Sequence, residues 1–70
     1  MSFDLRNAVL SNLDDSGYDD INETIVDAIN SGEEKTLPGL GVLFEVLWNS
    51  SNVAEKDSII SRITNNLAKV

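Results

Sequence analysis

The segment Leu37-Pro38-Gly39-Leu40-Gly41-Val42-Leu43-Phe44-Glu45-Val46-Leu47-Trp48 carries one charge in twelve residues, and its reading decides the architecture. An apolar run of this length fits either a buried helix or a buried strand. The flanks favour helix. A residue before proline avoids the helical region, whereas proline suits the first helical position, so Leu37-Pro38 marks a start. Asn49-Ser50-Ser51 supplies a polar exit. Gly39 and Gly41 weaken a helix by about 1 kcal/mol each; they are read as room for the close approach of a neighbouring helix. A helix apolar on all sides belongs at the centre of a bundle, here over about 38–49.

Working outward, Leu5, Val9 and Leu13 recur every four residues beside Ala8, which predicts a helix over 3–13 capped by Ser2 or Asp4. Asp14 to Asp19 is a loop by composition. Asp20-Ile21-Asn22-Glu23 has the spacing of a capping box, in which Asp20 accepts the amide of Glu23 and Glu23 reaches back. Ile21, Ile25, Ala28 and Ile29 form a stripe over 20–31, closed by Gly32 in a left-handed conformation. Glu33 to Thr36 is a polar connector. Asn52-Val53-Ala54-Glu55 again has capping spacing, and Val53, Ile60, Ile63, Leu67 and Val70, widened by Ile59, mark a last helix over 53–69. The expected product is one all-α domain, residues 1–70, in which the apolar third helix is wrapped by the other three.

Composition excludes much chemistry. The chain has 70 residues and neither cysteine nor histidine. Disulfide scaffolds, thiolate nucleophiles, cysteine-ligated metals and imidazole acid–base catalysis are therefore absent. No apolar run reaches the roughly 18 residues of a spanning helix, and the first residues lack the basic start and apolar stretch of a secretory signal. The expectation is a cytoplasmic protein with no cofactor, no small-molecule substrate and no membrane contact. The net charge is −7, distributed unevenly: residues 1–45 hold ten acids and two bases, residues 46–70 two acids and three bases. Duplex binding needs several cations set against phosphates. The five here are scattered, so nucleic acid is not an expected partner; a partner for the first half would be basic.

Several stretches carry a family resemblance: Leu5-Arg6 with Ala8-Val9-Leu10 and Asn12, Thr24 to Ile29, Ser31-Gly32-Glu33-Glu34-Lys35, and Leu37 to Val46 with Trp48. Together they resemble the minor small acid-soluble spore proteins of the SspI type, from endospore-forming Firmicutes. The resemblance spans nearly the whole chain and is densest from Thr24 to Trp48. It departs at Asp14 to Asp20, which is more acidic here, and after Asn52, which is less rich in Lys and Glu. It implies a small protein of the forespore cytoplasm and spore core, tied to sporulation, with no enzymatic activity and no defined molecular task. The major α/β-type spore proteins, which coat DNA, carry a protease-cleavage segment of the Glu-(Phe/Ile)-Ala-Ser-Glu kind that is absent here. Their DNA binding is not carried over.

Four local patterns invite sharper readings. Leu37 to Val46 is similar to the Gly-x-Gly-x-Phe-Glu-Val-like strand of HU-type DNA-bending proteins, but no basic arm follows and the chain is acidic. Gly39-Leu40-Gly41 lacks the Lys-Ser/Thr of a phosphate loop and the third glycine of a dinucleotide site. Asn12, Asp14, Ser16, Asp20 and Glu23, with Gly17, fall at positions 1, 3, 5, 9, 12 and 6 of an EF-hand calcium loop. Against calcium, position 1 is not Asp and position 8 is Asp19, so a solvated turn between two caps is the preferred reading. Phe44 and Trp48 share a helical face and are read as core. A bundle this small does not easily cover every side of an apolar helix, which makes Val42, Val46 and Trp48 the candidate contact surface for a protein partner or a second copy. Two functions remain open: an interaction module working through the third helix, or a passive constituent of the spore core.

Overall fold

The computed structural model describes residues 4–68. The expected helix ends at Phe3 and Lys69, the alternative cap Ser2 and the stripe residue Val70 lie outside them. Among the described residues there are four α-helices, one short 3-10 turn and no strand. Pro38 to Val46 is helical, which removes the strand on which the HU-like comparison depends.

Helix α1 spans Leu5–Leu13. Asp4 caps it, accepting from the Asn7 backbone amide at 3.1 Å and from the Asn7 side chain at 2.7 Å. Helix α2 spans Tyr18–Ser31 and starts two residues before the expected Asp20. The break falls at Gly17, whose backbone is extended (φ −91°, ψ −174°). Asp20 consequently lies inside the first turn, and its carboxylate accepts from the Gly17 amide at 3.3 Å. It performs the reach-back expected of Glu23. Gly32 closes α2 with φ 64°, a conformation glycine reaches without a Cβ penalty.

The polar connector contains a 3-10 turn, Glu34–Thr36. The Thr36 hydroxyl donates to the Glu33 carbonyl at 2.8 Å and to the Ala28 carbonyl at 3.3 Å. These bonds tie the start of the next helix to the last turns of α2. Helix α3 spans Leu37–Ser50, with Pro38 in its first turn. The hydroxyls of Ser50 and Ser51 both donate to the Leu47 carbonyl, at 3.0 and 2.6 Å. Helix α4 spans Val53–Leu67. Its capping box forms as expected: the Glu55 amide donates to Asn52 Oδ1 and the Asn52 amide to Glu55 Oε1, each at 2.8 Å.

The bundle is arranged on α3 but is open. Helix α1 lies across α3, while α2 and the 3-10 turn pack on it more lightly. Val42, 7 % exposed, is the one buried hydrophobic side chain among the described residues. Complete enclosure by three companions is not achieved. A nine-residue α1 is about 13 Å long and α3 about 21 Å, so α1 cannot cover it. Helix α4 continues from the Ser51-Asn52 joint and meets α3 where Lys56 Nζ lies 5.3 Å from the centre of the Trp48 ring. The radius of gyration, 13.7 Å, exceeds the value of about 11 Å expected for a closed domain of this length.

The expectation that Gly39 and Gly41 admit a neighbouring helix is also corrected. A Cβ at either position meets nothing within 4 Å. Both glycines sit in a helix interior with space around them and retain only their entropic cost. Gly41→Ala therefore raises stability by about 1 kcal/mol and the melting temperature by about 4–8 °C. Thermal unfolding followed by circular dichroism checks this; an unchanged or lower midpoint contradicts it.

Candidate interaction surface

Helix α3 presents two kinds of surface. Its inner side carries Val42, with Pro38, Gly41 and Glu45 bordering a groove of about 400 Å³ shared with Asp4, Leu5 and Arg6 of α1. A second, largely apolar groove of about 260 Å³ runs where Val9 and Leu13 of α1 and Ala28 of α2 approach Leu40 and Leu43. Outside these grooves α3 leaves Phe44, Val46 and Leu47 exposed, the last two at 50 %. Phe44 and Trp48 stack with centroids 5.9 Å apart and planes at 29°.

The three residues expected to form a contact surface are separated by this arrangement. Val42 is buried and is not available to a partner. Val46, one turn later, is exposed. Trp48 is half-buried, with Phe44 against it and Lys56 over its ring. Leu47 is exposed as well, and Phe44, read from the sequence as core, is exposed on another side of the helix, where it stacks on Trp48. Position along the apolar run could not separate them from core, because every side of α3 is apolar and only the course of α1 decides which side is covered.

The calcium-loop residues are not gathered. Asn12 lies in α1, Asp14 and Ser16 in the connector, Asp20 and Glu23 in α2. Four residues separate the two helices, too few for a twelve-residue loop to wrap a cation. The Asp20 carboxylate is engaged by Gly17. Among the described residues, no group of three or more acidic side chains is placed to hold a metal.

One polar contact spans the fold and has no counterpart in the sequence reading. Arg6 of α1 forks onto Glu45 of α3, with Nε–Oε1 at 2.6 Å and Nη2–Oε2 at 3.0 Å. Glu45 is the lone charge between Leu37 and Trp48, and Arg6 is the only base before Lys35. A carboxylate isolated in an apolar run was the available signal; its partner lies 39 positions away. Two parallel N–H···O bonds fix orientation as well as distance. Hydrogen bonding to Arg6 holds the Glu45 carboxyl below the usual glutamate range, the Arg6 charge adding to this and desolvation opposing it. The same hydrogen bond, and then the Glu45 charge, push the Arg6 guanidinium upward.

Known proteins are similar to this chain over nearly its whole length. The family model described as "Small, acid-soluble spore protein I" matches residues 3–67. Proteins of that name from Bacillus mycoides (strain KBAB4), Bacillus cereus (strain G9842) and Bacillus anthracis (strain CDC 684 / NRRL 3495) are each 54 % identical over 69 residues, covering 99 % of this chain and 100 % of theirs. No solved structure matches.

The Arg6–Glu45 fork has a pH signature. Glu45 has a lowered pKa in the folded chain, so its contribution is complete above the unfolded glutamate pKa and is lost as pH falls through the lowered value. Both groups are solvated, which keeps that contribution small. In a carboxyl NMR titration, the Glu45 midpoint is lower in the parent chain than in Arg6→Ala. Equal midpoints contradict the fork.

Proposed function

The chain belongs to the small, acid-soluble spore protein I family, and we propose that it serves the spore as a non-enzymatic interaction module, presenting the exposed apolar residues of α3 to a protein partner in the forespore cytoplasm and later the spore core. The observation that carries this reading is the exposure of Phe44, Val46 and Leu47 on the helix that the sequence makes most apolar. A passive constituent of the core requires only a soluble, closed fold. An open apolar face exposed to water has a standing cost that a bound partner removes.

Charge narrows the partner's character. Residues 1–45 hold ten acids against two bases, so a partner reaching α3 meets a negative surround. An apolar patch rimmed by Lys or Arg is the complementary surface. Enzymatic activity has no support in the residue set, which contains neither histidine nor cysteine.

Val46→Asp with Leu47→Asp adds two charges to the exposed face and leaves Val42 untouched. Used as bait in a sporulating-cell lysate, with and without nuclease, the parent chain retains a protein that the doubly substituted chain loses by at least tenfold, irrespective of nuclease. Equal retention by both returns the passive role; retention that nuclease abolishes returns nucleic acid.

A further inference from the structure

Helix α4 repeats apolar residues with a different purpose from α3. Val53, Lys56, Ile60, Ile63 and Leu67 follow the three–four spacing of a coiled-coil seam, with Val53, Ile60 and Leu67 at one core position and Lys56 and Ile63 at the other. Lys56 is spent on Trp48 within the chain. The four apolar members of the seam are 46–85 % exposed, so no other helix of the chain covers them. A fifteen-residue helix is marginal in water without a packed face.

We propose that α4 is a dimerisation element: its seam pairs with α4 of a second copy of this chain, the two helices running antiparallel. Surface area supports a partner of that size. A closed monomer of 7.6 kDa exposes about 4,300 Å², whereas this chain exposes 5882 Å². The surplus, about 1,600 Å², belongs to the whole chain, the exposed residues of α3 included, and leaves room for the roughly 800 Å² that each partner gives to a stable complex.

Charge selects both the element and the direction. Residues 1–45 are strongly acidic, so two copies repel through them, while residues 46–70 hold two acids and three bases and meet without repulsion. A parallel pair would set both acidic bodies at one end of the seam. An antiparallel pair places them at opposite ends of a helix about 22 Å long, well beyond the physiological screening length of about 8 Å. This surface is separate from the exposed Val46 and Leu47 of α3, and either can fail without the other.

Sedimentation equilibrium over a hundredfold dilution tests the pairing. The parent chain gives a mass twice the monomer's that falls to the monomer value on dilution. Ile60→Glu with Ile63→Glu gives the monomer at every concentration. Val46→Asp with Leu47→Asp retains the dimer. Because the seam is exposed in the single chain, the Ile60/Ile63 variant keeps its Val42 contacts, which amide shifts of α1 and α3 verify. A parent chain that is monomeric throughout, or a dimer that survives Ile60→Glu/Ile63→Glu, overturns the proposal. Spin labels on Ala54→Cys read the direction: a separation above about 20 Å is antiparallel, and a shorter one overturns that arrangement.

Discussion

Val42 and the Arg6–Glu45 fork together hold α1 against α3, and the rest of the fold depends on that junction. The two contacts do different work. Burial of Val42 supplies non-directional stabilisation. The fork adds little energy in solvent, but it sets where α1 lies along α3. Once α1 is placed, Val9 and Leu13 are brought towards Ala28 of α2 along Leu40 and Leu43, and the Thr36 hydroxyl ties α2 to the start of α3. Phe44, Val46 and Leu47 of α3 are left to solvent.

That openness connects the fold to its use. A chain of this length buries too little apolar surface to be strongly stable by itself. Here much of the apolar area lies outside the α1–α3 junction, as Phe44, Val46 and Leu47 on α3 and as the seam on α4. A protein whose stability rises when these faces are covered is linked to its surroundings by mass action.

The helices were legible in the sequence because their signals are local. Pro38 at a start, Gly32 at an end, and Asn52 with Glu55 as a capping box each act within four residues, and each appears where its spacing places it. Gly17 misled because it acts as a cap through its backbone, which moved the α2 start from Asp20 to Tyr18. Packing was less legible. Gly39 and Gly41 suggest a close contact, but a small residue reports available space and not what fills it. Val42 and Val46 lie one turn apart, yet the first is buried and the second exposed, and an unbroken apolar run carries no signal of where the cover from its neighbours ends. The fork joins residues 39 positions apart, a distance over which no periodicity in one sequence carries information.

Residue-resolved hydrogen exchange on dilute protein ranks the four helices by their local stability. If α3 clasped by α1 is the stable element, the amides from Val42 to Val46 exchange slowest, those of α1 follow, and those of α4 beyond Lys56 exchange fastest. Amides of α4 that outlast those of α3 at the same dilution would contradict this account, since stability would then originate in the helix placed outside the junction.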